Sequence, residues 1–137
     1  MQQMRICFFF VFIFNTVWAS AELVVCADSV KNDGQGQWLQ GRKHGVWRYF
    51  YPSGKIKEEI SFSQDSLDGD WIEYFENGLI KSVSSYKNGT EEGIWKLYFP
   101  DGLLHIETHY KDGLKHGSQY EYYKNGKLKW ERNFVRD

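Results

Sequence analysis

Glycine recurs along this chain at a fixed interval, and that interval limits what the chain can fold into. Gly45, Gly69, Gly93 and Gly117 are each separated by 24 residues. Gly54, Gly78, Gly102 and Gly126 form a second set, each nine residues after the first. The first two segments between them read Gly45-Val-Trp-Arg-Tyr-Phe-Tyr-Pro-Ser-Gly54 and Gly69-Asp-Trp-Ile-Glu-Tyr-Phe-Glu-Asn-Gly78. Trp47, Trp71 and Trp95 share one position, which Gln119 breaks. Phe50, Tyr74, Tyr98 and Tyr122 share another, and Tyr51, Phe75, Phe99 and Tyr123 the next. Ile56, Ile80, Leu104 and Leu128 match, as do Phe62, Tyr86, Tyr110 and Phe134. Such a period marks a repeat architecture, whose unit cannot bury its apolar face alone and stacks on its copies.

Each repeat reads as one β-hairpin. Aromatics make up 18% of the residues, and 13 Gly stand against 2 Pro, a balance that favours strands and turns over helices. The segment Trp47 to Tyr51 is a short aromatic strand. Ser53-Gly54, Asn77-Gly78, Asp101-Gly102 and Asn125-Gly126 then read as tight turns with both central residues at positive φ. In the second strand Ile56, Ile60 and Phe62 fall on one face, and Lys55, Lys57, Glu59 and Ser61 on the other. A longer polar connection, such as residues 87–92, leads onward. The expected fold is all-β: a meander of antiparallel hairpin repeats forming an elongated twisted or trough-like sheet. A half-repeat at 36–44 precedes repeats at 45–68, 69–92, 93–116 and 117–137, with 22–35 as a lead-in.

The pattern Gly-x-Trp-x-x-Tyr-Phe-x-x-Gly, with an aromatic eight residues later, resembles the MORN-variant repeats of bacteria. Chains of this kind are filed as YwqK-type antitoxin-component proteins. The likeness covers residues 36–137. It implies hairpin repeats and an interaction role, and it brings no catalytic residues. An antitoxin-like binder that neutralises a cognate protein toxin is the alternative function it implies.

The search for chemistry yields little. His105, Glu107 and His109 alternate, so they are expected on one strand face, but the two histidines then lie about 13 Å apart, too far to share one ion. His44 and His116 occupy the slot held elsewhere by Asp68 and Glu92 and read as connection residues. Glu58 and Glu59 point to opposite faces. Glu91 and Glu92 lie in a connection, without the convergent geometry of an acid–base pair. Nucleophile elbows and phosphate loops are missing from the sequence. The reading is therefore a non-catalytic protein without cofactor or metal. An envelope hydrolase would have to draw on His105, Glu107 and His109. Asn88-Gly89-Thr90 fits a glycosylation acceptor but also obeys the turn pattern of the repeat. With 17 Lys+Arg against 18 Asp+Glu, the net charge of −1 gives no basic excess for a nucleic-acid partner.

The aromatic rows remain. If Trp47 and Tyr51 face inward with Ile56 and Phe62, then Phe50, Tyr74, Tyr98 and Tyr122 lie on the opposite, more polar face. Rings repeating every second strand stand about 10 Å apart. This row is the candidate binding stripe, for a protein, glycan or membrane-surface partner. Open sheet edges would also allow weak self-association.

Residues 1–21 read as a secretory signal peptide. Arg5 gives a positive start, residues 6–14 are a continuous apolar run, and Ala19-Ser20-Ala21 supplies small residues at the cleavage positions. The run falls short of the roughly 20 residues a membrane-spanning helix needs. Val25 stands before Cys26 where a lipidation signal requires a small residue. Export to the periplasm, envelope or medium is expected, with cleavage after Ala21. Intact-mass analysis of protein from its own host should find Glu22 as the first residue. A retained Met1, or a lipid on Cys26, would contradict this.

Overall fold

The computed structural model describes residues 34–135. The expected signal peptide, its cleavage site and Cys26 lie outside the described residues. The strands are β1 (Gln35–Leu39), β2 (Arg42–Phe50), β3 (Ile56–Ser63), β4 (Ser66–Tyr74), β5 (Ile80–Lys87), β6 (Thr90–Glu91), β7 (Gly93–Tyr98), β8 (Leu104–Lys111), β9 (Leu114–Tyr122) and β10 (Leu128–Phe134). They form one open antiparallel sheet in chain order, and the short β6 pairs with β5 ahead of β7. The hairpin meander read from the repeat is the observed architecture. Each repeat contributes two strands, and β6–β7 is one repeat strand interrupted at Glu92.

Two kinds of turn alternate, and their assignment reverses the expectation. The tight two-residue turns, with both central residues at positive φ, are Gln40-Gly41, Gln64-Asp65, Asn88-Gly89 and Asp112-Gly113. Residues 87–92 are thus mostly turn and strand, not a long connection. The Asn-Gly and Asp-Gly pairs at 77–78, 101–102 and 125–126 sit in wider loops where only the glycine has positive φ. In the matching loop of the first repeat, Gly54 N–H donates to Tyr51 O at 2.8 Å, and Tyr51 N–H donates to Lys55 O at 2.8 Å. This is a type I turn followed by a left-handed glycine. In that setting Asn77 uses its side chain instead, its Oδ1 accepting from Leu79 N–H at 3.0 Å. Pro52 and Pro100 fit the first central position, where φ is already fixed for a type I turn. The same dipeptide serves both turn types, so sequence alone did not separate them.

The tight turns also stitch each hairpin to the one before. Asp65 N–H donates to Lys43 O at 3.0 Å, Gly89 N–H to Leu67 O at 2.7 Å, and Gly113 N–H to Glu91 O at 2.9 Å. Gln64-Asp65 lacks a glycine yet takes the turn, and Asp65 Oδ1 also accepts from Lys43 N–H at 2.7 Å.

Residues directly opposite one another share a face, so the pairings sort the side chains. One row runs across the sheet through Trp47, Ile60, Trp71 and Ser84, and then through Trp95, Thr108 and Gln119. Beside it, Gly69 lies opposite Tyr86 and Gly93 opposite Tyr110. A side chain at Gly69 would meet Ser61 Cβ at 2.9 Å, and its φ of +109° is open only to glycine.

Near each wide loop the register slips, between Tyr49 and Phe50, Glu73 and Tyr74, and Leu97 and Tyr98. The slip places Ile56 opposite Phe50, Ile80 opposite Tyr74 and Leu104 opposite Tyr98. Ile56 therefore lies on the face away from Trp47, not with Ile60 and Phe62 as alternation suggested. A bulge moves one residue out of step and turns over everything beyond it. The extra residue turns toward the tryptophan face, where Lys81 Nζ lies 3.4 Å from Glu73 and Lys129 Nζ 2.6 Å from Glu121.

The sheet is a single layer, so burial is sparse. Among the described residues the buried apolar side chains are Trp47 and Ile60. Trp47 is 2% exposed. Gly36 lies so close to it that an added Cβ would stand 2.5 Å from the indole. Trp38 packs edge-on at 4.9 Å, and Trp47 Nε1 donates to Gln37 O at 3.2 Å. The repeat position that Trp71 and Trp95 share with Trp47 predicts that they too are buried in the central hairpins. They are half-buried, without the close approach that Gly36 and Trp38 make to Trp47. Trp47→Ala should accordingly cost about 3–5 kcal/mol, and Trp71→Ala and Trp95→Ala clearly less. Urea midpoints of the three variants check the order.

Candidate functional site

Phe50, Tyr74, Tyr98 and Tyr122 fall where the sequence put them, on the face opposite Trp47. Alternation along β2 separates Phe50 from Trp47, and Arg48 pairs with Glu59 on the same side as Phe50. Tyr74 OH donates to Glu59 Oε2 at 2.8 Å, which fixes Tyr74 on that side as well. The bulges add what alternation did not foresee. Each ring has an aliphatic residue directly across, giving the pairs Phe50–Ile56, Tyr74–Ile80, Tyr98–Leu104 and Tyr122–Leu128. The four rings are half-buried, while Ile80 and Leu128 are exposed. Leu79 and Leu103, at the adjoining wide loops, are exposed too. The result is an apolar band along one margin of the sheet.

Ion pairs border this band. Arg48 Nε meets Glu59 Oε1 at 2.7 Å, and Lys96 Nζ lies 3.6 Å from Glu107 Oε2. The Glu59 carboxyl is held below its usual range, first by the hydrogen bond from Tyr74 and then by Arg48, against the opposing effect of burial. The Tyr74 phenol is pushed up, by burial first and then by Glu59. Both shifts describe one polar link that pins a ring of the band to the neighbouring strand.

The histidines do not gather. His105 is the bulge residue of β8, so it turns toward the tryptophan face, stacks on Phe99 at 4.1 Å and stands 3.6 Å from Glu121. Glu107 pairs with Lys96 on the other face. The expectation that His105, Glu107 and His109 share a face fails at this bulge. His109 Nδ1 lies 2.8 Å from Ser118 O. Among the described residues, no cluster of three His, Cys, Asp or Glu side chains could hold a metal ion. In the slot shared with His44, two residues brace the next tight turn: Asp68 Oδ1 accepts from Asn88 N–H, and Glu92 Oε2 from Asp112 N–H at 2.9 Å.

Sequence reasoning passed over Ser82 and Ser84. Both lie on the tryptophan face and are 7% exposed. They floor a cleft walled by Trp71 and Trp95, with Glu73 and Tyr86 at its ends. The available signal was a break in the repeat: the slots of Ser82 and Ser84 hold Glu58 and Ile60 one period earlier, and Ile106 and Thr108 one period later.

The MORN repeat variant matches the chain four times, at residues 43–64, 67–88, 91–112 and 115–135. No curated protein matches it.

The Tyr74–Glu59 link gives a pH test. A depressed carboxyl contributes stability that is complete above the ordinary carboxylate range and is lost as pH falls through the lowered value. Tyr74→Phe removes the largest cause of the depression. In a carboxyl NMR titration, Glu59 of the variant should ionise closer to the ordinary value. The stability difference between variant and parent should shrink in acid. An unchanged Glu59 titration would show that Tyr74 is not its main partner.

Proposed function

The chain belongs to the MORN repeat variant family, a family of non-catalytic binding repeats, and from that premise we propose an exported protein that captures a protein partner. The apolar band of Phe50, Tyr74, Tyr98 and Tyr122 with Ile56, Ile80, Leu104 and Leu128 is the proposed contact surface. The observation that carries this reading is the period itself. Rings paired with aliphatic residues recur every second strand on a face that has no second layer among the described residues. Tyrosine suits such a surface because it offers area and a hydroxyl at low entropic cost. The bordering ion pairs carry both signs, which fits a protein partner better than an anionic membrane. An antitoxin-like binder of a cognate protein toxin is the alternative that the YwqK-type resemblance implies. Export rests on residues 1–21 and on nothing within the sheet.

The test is Tyr74→Ser combined with Tyr98→Ser in the mature chain. Capture of a partner from the host's envelope fraction should be lost while the variant stays folded, with a melting temperature lowered by the lost Tyr74–Glu59 bond. Unfolding of the double variant would make the rings structural. A folded variant that still captures the partner would move the contact elsewhere.

A further inference from the structure

The cleft between Trp71 and Trp95 is a place where the repeat departs from its own rule. Along the tryptophan row, Ile60 fills the space between Trp47 and Trp71 and is buried there. Beyond Trp95, Gln119 Nε2 donates to Thr108 Oγ1 at 2.9 Å and closes the row. Between Trp71 and Trp95 the corresponding residue is Ser84, and Ser82 lies two residues before it on the same face. Two small hydroxyls replace bulk in one hairpin, and the two indole walls stand two strands apart, about 10 Å between backbones. The opening encloses about 240 Å³.

The polar groups of this cleft are arranged as both acceptors and donors. Ser82 Oγ donates to Glu73 Oε2 at 2.5 Å, so the serine proton is already engaged. Lys81 Nζ lies 3.4 Å from Glu73 Oε1 and is 42% exposed, with donor capacity left. Ser84 and Tyr86 also line the cleft, and each hydroxyl can both donate and accept. A carboxylate, two serine hydroxyls and a phenol therefore meet between two indole surfaces, and the Lys81 ammonium stands 3.4 Å from that carboxylate. A polyol satisfies such a mixture, because each of its hydroxyls both donates and accepts, while its C–H face packs against aromatic rings. A proline-rich segment also fits between aromatic walls, but it offers carbonyl acceptors without N–H donors and so gives the Glu73 carboxylate no further hydrogen bond.

We infer that the cleft of Trp71, Glu73, Ser82, Ser84, Tyr86 and Trp95 is a carbohydrate subsite that takes one pyranose unit of an oligosaccharide. It lies on the face opposite the apolar band and is independent of the protein-binding role proposed for that band.

The experiment is a titration of the mature chain, followed by tryptophan fluorescence, with maltotriose, cellotriose and N,N′,N″-triacetylchitotriose, each up to about 10 mM, where even weak sites fill. Decaproline is titrated in parallel. At least one trisaccharide should shift the emission saturably. Ser84→Ile installs the residue that the first repeat carries in this slot, so it should fill the notch, keep the fold and weaken the response by about tenfold or more. Glu73→Gln should weaken it as well, and it keeps the test decisive if Ser84→Ile fails to fold. Saturable binding lost in either folded variant supports the subsite. Silence toward all three trisaccharides, equal binding by the folded variants, or a response to decaproline alone overturns it.

Discussion

Each tryptophan of the central row has shorter residues on the strands beside it, and in a one-layer sheet that complementarity is the main source of burial. Trp47 lies opposite Ile60, Ile60 opposite Trp71, and Trp71 opposite Ser84. No second layer of the described chain covers either face, so an indole is shielded only by what its neighbouring strands lay against it. Trp47 is shielded most completely, because β1 brings Gly36, Gln37 and Trp38 over it. The half-repeat thus acts as a cap, giving the first full repeat a neighbour on its outer side. The rest of the sheet builds outward from this closed end.

Much of the architecture was legible because it is periodic. The 24-residue spacing fixed two strands per repeat, and alternation separated Phe50 from Trp47 correctly. What stayed hidden was whatever breaks a period of two. An extra residue at Lys57, Lys81 or His105 leaves no mark in composition, yet it moves Ile56 to the opposite face and parts His105 from Glu107. The turns were hidden for a different reason. Asn77-Gly78 and Asn88-Gly89 share a dipeptide, and the surrounding hydrogen bonds decide which of them is tight.

The aromatic band was legible as a row of rings but not as a paired surface. Phe50, Tyr74, Tyr98 and Tyr122 could be named from spacing, whereas their aliphatic partners came from the register slip. The cleft at Ser82 and Ser84 went unread because small polar residues in a strand look like ordinary surface. Their meaning comes from Trp71 and Trp95, which stand on the strands to either side. In a repeat protein a site of this kind is defined by a departure from the period, and the equivalent slots act as its internal controls.

The order of the strands has a consequence for how the molecule is made. Every full-length strand pairs with its immediate predecessor in the chain, and none waits for a distant partner. Loop closure is correspondingly short at each step, which favours rapid zippering over a slow global search. A polypeptide emerging end-first can complete one hairpin, offer its last carbonyls to the next tight turn, and extend the sheet strand by strand as synthesis proceeds. Such vectorial assembly leaves one growing edge strand unpaired at each step.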